Sequence, residues 1–199
     1  HYDAGYVDVS MPGYVPRGLA KFNHPATLRP QHAPHQWFEP VYGSKTPQNP
    51  TATSTTPYLD KQDIHRIQSI SGTFLYYGCG LQPLHSTRFN EIASKQATPT
   101  TNTLETTEML MDYLHTYPHA VIRYHASDMI LKITSDAAYL VQPKARSRAA
   151  VHYHLGWHNS DRTNGTVDVL CQTLKNVVAS AAEAETGGIY IGGKHACSM

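Results

Sequence analysis

The hydrophobic pattern of this chain changes its period at Pro118, and that change constrains the fold more than any other feature of the sequence. Before Pro118, apolar residues recur every three or four positions, which is typical of helices that bury one face. After Pro118, apolar and polar residues alternate, which is typical of strands. Helices followed by strands, without regular alternation of the two, predict an α+β domain or a domain with a mixed sheet.

Three helices are predicted before this change of period. The first begins near Asp60, and Gly78 and Gly80 are expected to end it because glycine favours helix C-termini. The third begins at Thr101 or Thr103. The core-facing stripe of the first helix is predicted to contain Ile64, Ile67, Ile70, Phe74 and Tyr77.

The remaining segments are predicted from shorter patterns. A strand at 5–11 precedes a short helix at 13–22 that Ser10 is expected to cap. Residues 23–57 are rich in Pro, His, Thr and Ser and are predicted to form an irregular connector. Further strands are predicted at 120–124, 129–136, 149–155 and 166–174, and a helix over most of 175–199.

Composition sets broad limits on the function. The 199 residues are 40% hydrophobic with a net charge of +1, so the chain can bury a core and its bulk charge does not indicate a nucleic-acid partner. The cysteines, Cys79, Cys171 and Cys197, lack metal-type spacing, which favours a reducing compartment. No signal peptide or membrane-length apolar run is present, which predicts a soluble chain without a membrane partner. A first residue other than Met, and a last helix without a Gly or Pro stop, suggest cuts through a longer polypeptide.

Two carboxylates occupy positions that suit a metal site. Asp136 ends a predicted strand, from which it can be aimed out of the sheet edge, and Glu185 lies on the helix that follows two further strands. Magnesium takes oxygen ligands, and two such ions about 4 Å apart assist phosphodiester cleavage. Glu183 points in another direction from Glu185, so only one of the two can join Asp136. Unrelated surface acids are the alternative that spacing alone leaves open.

A short basic run follows the strand that carries Asp136. Lys144, Arg146 and Arg148 place three cations within five residues. Beside an acidic metal site they are candidates for contacts with a nucleic-acid backbone. A solvated turn is the alternative for so short a run.

Histidines and tyrosines give weaker signals. The 13 histidines contain no set with the short spacing of a zinc site, although His152 and His154 are predicted to share one strand face. Tyr76, Tyr77 and Tyr153 are candidates for stacking on bases. Their positions on apolar stripes instead favour packing in the core.

Several motifs occur along the chain in a fixed order. They are Tyr6-Val-Asp-Val-Ser-Met-Pro-Gly-Tyr-Val15, Gln68-Ser-Ile-Ser-Gly-Thr-Phe-Leu-Tyr-Tyr77, Met111-Asp-Tyr-Leu114, Thr134-Ser-Asp-Ala-Ala-Tyr-Leu140, Ala145-Arg-Ser-Arg-Ala149 and Lys175-Asn-Val-Val-Ala-Ser-Ala-Ala-Glu-Ala-Glu185. In this order they resemble copia-type retrotransposon Pol polyproteins, from the end of the reverse transcriptase through the first half of the RNase H domain. The resemblance covers essentially the whole chain.

The resemblance implies three segments and a fold. Residues 1–57 would be the end of the reverse transcriptase region and an irregular connector, 58–118 a helical connection, and 119–199 the N-terminal part of an RNase H-like domain. The implied fold is α+β, a helical connection followed by an incomplete RNase H-like mixed sheet with one helix.

The resemblance also implies a function for the parent protein, the magnesium-dependent hydrolysis of the RNA strand of RNA–DNA hybrids during reverse transcription. Asp136 matches the first catalytic aspartate of the family and Glu185 its helix glutamate, and both would be magnesium ligands. Lys144, Arg146 and Arg148 would contact the nucleic acid. The implied partners are the hybrid and the remainder of the Pol polyprotein, in the cytoplasm, virus-like particles and nucleus.

Neither activity of the family is expected to be complete in this chain. The family's third acid would lie beyond Met199 and the paired aspartates of its polymerase before His1. Glycines after Glu185 replace better helix formers, which suggests a weak helix end or a decayed element. A non-catalytic nucleic-acid-binding or structural remnant is therefore the alternative function.

Overall fold

The computed structural model describes residues 1–35, 57, 59–81, 86–142 and 146–199. Over these residues the chain is a mixed α+β protein with five α-helices and two small antiparallel sheets. The α+β class is confirmed, while antiparallel pairing replaces the predicted mixed sheet in the part of the chain described. The chain divides into two compact units, a sheet unit that contains His1–Asp8 and Arg123–Met199, and a helical unit formed by the described residues between 9 and 122.

The helical unit buries a core between four helices. The predicted stripe is confirmed at Ile67, Ile70, Phe74 and Tyr77, which are at most 1% exposed, and Ile64 is half-buried. Burial of such side chains contributes about 1.5–3 kcal/mol each. The four helices are α1 (Tyr14–Lys21), α2 (Lys61–Leu81), α3 (Ser86–Lys95) and α4 (Thr101–Thr116).

Two predictions about helix ends are wrong. Gly78 and Gly80 do not stop α2, which continues to Leu81, because Gly78 is the point at which Phe89 of α3 packs against the helix. A Cβ atom on Gly78 would lie 2.4 Å from the Phe89 ring. The N-cap of α1 is Gly13 and not Ser10, since Gly13 adopts a left-handed backbone with φ 73°. None of the described helices combines the length and the apolar content that a membrane crossing requires.

A two-stranded sheet pairs β1 (Tyr6–Ser10) with β2 (Val121–His125), two segments that the patterns predict as strands. Asp8 accepts two hydrogen bonds from the Arg123 guanidinium, at 2.7 and 2.8 Å. These bonds hold the pKa of Asp8 below its usual value. The same guanidinium lies 3.9 Å from the centre of the Tyr6 ring, so cation and aromatic ring are stacked.

The main sheet of the sheet unit has three strands in the order β3 (Ile130–Gln142), β4 (Arg146–Gly156) and β5 (Thr166–Thr173). Helix α5 (Ala181–Ala196) packs on one face of it. A Cβ atom on Gly192 would lie 3.0 Å from Val151 Cγ1, and the Tyr153 hydroxyl donates to the Gly192 carbonyl at 3.0 Å. Glycine at 192 therefore gives the helix its close approach to the sheet.

One boundary in the sheet unit differs from the predictions. Strand β3 does not end at Asp136 but continues to Gln142, because pairing with β4 extends it. Helix α5 covers most of 175–199, as predicted, and begins after Ser180, whose hydroxyl accepts a hydrogen bond from the Glu183 N–H and caps the helix. Most of the predicted connector, residues 36–56, lies outside the described residues.

Candidate functional site

Asp136 lies in the middle of β3, on the face of the sheet opposite to α5. Its register partner in β4 is Ala150, which in turn pairs with Cys171 of β5. A Cβ atom on Gly188 of α5 would lie 3.9 Å from Ala137 Cβ, so Ala137 faces the helix and the alternating Asp136 faces away from it. We call this second surface the open face. The exposed Asp136 carboxylate is accessible to a ligand there.

Glu185 is held against the strand that carries Asp136. Its Oε1 atom accepts a hydrogen bond from the Ala137 N–H at 3.3 Å. In the described sheet β3 is an edge strand, so its outward N–H groups need partners other than a strand. Glu185 supplies one of these partners, and its carboxylate consequently lies beside the peptide that follows Asp136.

Glu183 has a different role in the same helix. Its Oε2 atom accepts a hydrogen bond from the Ala179 N–H at 2.7 Å, and its own N–H donates to the Ser180 hydroxyl at 3.2 Å. These bonds satisfy backbone donors at the N-terminus of α5. Of the two glutamates, Glu185 is thus the one that contacts the strand carrying Asp136, while the Asp136 side chain itself lies on the opposite face of that strand.

The three predicted basic contacts have different surroundings. Lys144 lies outside the described residues, and Arg146 is half-buried opposite Gln142. Arg148 is on the open face, with Nη2 3.4 Å from Gln142 Oε1 and Nη1 3.8 Å from Cys171 Sγ.

The hydrogen bonds of Arg148 are incomplete. Its Nε atom is buried and has no hydrogen-bond partner among the described groups. A buried donor without a partner is costly, so a ligand with acceptor oxygens would be favoured beside it. Arg148 pairs with Ala138, two residues after Asp136, which places its cation near that carboxylate on the open face.

His152 and His154 share the open face, as predicted, with ring centres 5.4 Å apart. Burial lowers the pKa of His154, and the charge of Lys132 adds to the effect. Burial also lowers the pKa of His152. The described residues contain no group of three or more His, Cys, Asp or Glu side chains that could hold a metal ion.

The tyrosine predictions are confirmed at two positions of three. Tyr77 and Tyr153 are fully buried, and burial raises the pKa of both phenols. Tyr76 is 64% exposed, because its position on α2 faces away from the core.

The sequence patterns do not predict a second surface of the sheet unit, which the loop between β4 and β5 forms. The loop between β4 and β5 ends in Asn164-Gly165, which the sequence indicates only as a turn. Asn164 instead binds β2: its Oδ1 accepts from the His125 N–H at 2.8 Å, and its Nδ2 donates to the His125 carbonyl at 2.9 Å. No motif spacing in the sequence indicates this contact.

This loop, the end of β2 and the residues near Gly5 and Asp128 border a shallow depression of about 570 Å³ that is open to solvent, which we call the loop cavity. The Arg162 guanidinium lies 5.5 Å from the centre of the Trp157 ring, and its Nη2 atom lies 3.4 Å from His125 Nε2. The lining comprises Gly5, His125, Ala126, Asp128, Trp157, Asn159, Ser160 and Arg162.

Comparison with known proteins does not assign the chain to a family. The chain matches no protein-family model, no curated protein and no solved structure.

Proposed function

We propose that this chain joins the end of a reverse transcriptase to the first part of an RNase H domain in a copia-type retrotransposon Pol polyprotein. The parent protein would hydrolyse the RNA strand of RNA–DNA hybrids during reverse transcription. The observation that carries the proposal is the 3.3 Å contact between Glu185 Oε1 and the Ala137 N–H, because it sets a helix carboxylate beside the strand that bears Asp136. The ordered sequence motifs support the same assignment.

Magnesium is the cation that Asp136 and Glu185 would hold. It is commonly bound through one or two carboxylates together with waters and substrate phosphates, so two carboxylate donors fit its ligand chemistry. Because Asp136 and Glu185 start from opposite faces of β3, they would have to meet around the free edge of that strand. When bound, magnesium would activate a water and stabilise the leaving oxygen. Asp136 offers an exposed carboxylate, while the Ala137 amide orients Glu185 through one of its two oxygens.

The surrounding residues would position the nucleic acid. Arg148 carries a buried, unpartnered Nε on the face that also bears Asp136, and a phosphate oxygen would satisfy it. Arg146 and Lys144 would add sequence-independent attraction to the backbone. The helical unit would serve as the connection and support.

A non-catalytic nucleic-acid-binding remnant is the second candidate. The observation that favours it is that no group of three or more potential metal-binding side chains occurs in the described part of the chain. Two carboxylates are expected to hold magnesium weakly, since a two-metal site needs more ligands. The remnant would keep its fold and its affinity for the hybrid without cutting it.

Binding and cleavage of a labelled RNA–DNA hybrid by the purified chain test both candidates. We expect hybrid binding that magnesium strengthens and that Asp136→Asn weakens by at least about fivefold, without robust cleavage. Glu105→Gln, the same loss of charge at an exposed residue of the helical unit, should leave binding unchanged.

Other outcomes would separate the candidates. Magnesium-dependent cleavage that Asp136→Asn abolishes would overturn the expectation that this chain is inactive alone. If neither magnesium nor Asp136→Asn changes the affinity for the hybrid, the result would favour the non-catalytic remnant. If the chain has no affinity for the hybrid, both candidate functions are contradicted. The chain would then be an unrelated α+β binding domain.

A further inference from the structure

We propose that the loop cavity binds an unpaired nucleotide, with the phosphate on Arg162 and the base stacked at Trp157. The inference deepens the proposed function, on which it rests for the biological source of the nucleotide. The cavity of about 570 Å³ is open to solvent, so it would hold the nucleotide at the surface, through Arg162 and Trp157.

Arg162 is the group that would hold the phosphate. Its Nη2 lies 3.4 Å from His125 Nε2, and because arginine can only donate, the histidine nitrogen is the acceptor. Within the part of the chain that the structure describes, its other guanidinium N–H groups have no recorded partner and could give two parallel hydrogen bonds to a phosphate. Arg123, by contrast, already gives two such bonds to Asp8.

Trp157 and Arg162 together offer a planar stacking surface. The guanidinium lies 5.5 Å from the ring centre, and nucleobases stack both on aromatic rings and on guanidinium planes. A second pair of the same kind lies in the sheet unit, where Arg123 stacks on Tyr6 at 3.9 Å. Tyr6 is 6.0 Å from the His125 ring, so aromatic rings and cations alternate along this surface. Such alternation is typical of platforms that bind single strands.

The walls of the cavity are held in place before any ligand binds. Asn164 fastens the loop to β2 through the His125 backbone. Asp128, the carboxylate in the lining, accepts a hydrogen bond from the His158 N–H at 2.8 Å, which offsets part of its repulsion toward a phosphate. A preorganised loop lowers the entropic cost of binding.

The loop cavity and Asp136 are separate positions on the sheet unit. Strand β3 begins at Ile130, close in sequence to Asp128 of the cavity, and Asp136 follows six residues later. At about 3.4 Å per residue this is about 20 Å along the strand. A nucleic acid held at Asp136 would therefore continue over several nucleotides to reach the cavity.

Tryptophan fluorescence tests the proposal directly. The chain contains two tryptophans, so Trp37→Phe leaves Trp157 as the sole reporter. Titration with a 5′-phosphorylated RNA tetranucleotide, and with its DNA equivalent, should quench Trp157 saturably. Arg162→Gln should weaken binding by about tenfold. Arg162→Lys should weaken it by less, because lysine keeps the positive charge but cannot donate two parallel hydrogen bonds to the phosphate. Anisotropy of a labelled tetranucleotide provides a second readout that does not depend on tryptophan.

Matched controls make the result specific. Arg29→Gln, which removes one exposed arginine of the helical unit, should leave binding unchanged. The tetranucleotide is read at Trp157 without magnesium, whereas the carboxylate site is read by magnesium-dependent hybrid binding, so failure of the carboxylate site and failure of the cavity are distinguishable. Absence of quenching, equal losses in Arg162→Gln and Arg29→Gln, or equally tight binding of inorganic phosphate alone would each overturn the proposal.

Discussion

The Glu185 carboxylate accepts a hydrogen bond from the Ala137 N–H at 3.3 Å, which ties helix α5 to the edge strand that carries Asp136. Glu183 lies two residues earlier and instead receives the Ala179 N–H at the start of the helix. Two residues of the same type in one helix thus have different contacts, and their variants should behave differently.

We expect Glu183→Gln to lower the free energy of unfolding by about 0.3–1 kcal/mol. The reason is that it removes a negative charge from the first turn, where the helix dipole favours one. Glu185→Gln should change stability by less, because the dipole effect fades beyond the first turn. Urea denaturation followed by circular dichroism measures both. A larger loss for Glu185→Gln would show that the helix cap is misassigned.

The glycines of α5 provide a matched pair for the packing of helix on sheet. Gly192→Ala should destabilise the protein by about 1 kcal/mol, since the new Cβ would lie 3.0 Å from Val151 Cγ1, and overpacking outweighs the gain in helix propensity. Gly193→Ala should stabilise it by about 0.5–1 kcal/mol, because a Cβ there meets nothing within 4 Å. Urea midpoints measure both, and a stabilising Gly192→Ala would contradict the close approach.

The buried histidines predict how stability depends on pH. The pKa of His154 in the folded protein lies below its ordinary value of 6.5. The unfolded chain therefore takes up a proton more readily, so this contribution is present above pH 6.5 and is lost as pH falls from there through the lowered pKa. His154→Asn should lose less stability than the parent between about pH 7.5 and about pH 5.5. Equal losses in urea titrations would contradict this role.

Local patterns predicted the helices well because a burial stripe is encoded by residues three and four positions apart. Ile67, Ile70 and Phe74 are buried as their spacing predicts. The end of α2 was not predictable in the same way. Gly78 remains inside the helix because Phe89, on the next helix, occupies the space beside it, and this contact cannot be seen within a local window.

Strand pairing and loop contacts explain the other differences between the predicted and the observed structure at the site. Asp136 resembles a strand end because small residues follow it, yet pairing with β4 carries the strand to Gln142. The resemblance already selects Glu185 over Glu183, and the hydrogen bonds add that Glu183 caps the helix while Glu185 contacts the strand. The loop cavity joins β2 to the β4–β5 loop, and no motif spacing predicts such a junction.

The central claim is that Asp136 and Glu185 together bind a divalent cation. Its most direct measurement is paramagnetic broadening of backbone amide signals of the ¹⁵N-labelled chain by Mn²⁺, which shares the oxygen ligands of Mg²⁺. We expect the amides of Asp136, Ala137 and Glu185 to broaden first and magnesium to reverse the effect. Asp136→Asn and Glu185→Gln should each weaken the effect by about tenfold, whereas Glu183→Gln should leave it unchanged. Broadening that begins elsewhere, or that survives both Asp136→Asn and Glu185→Gln, would contradict the claim.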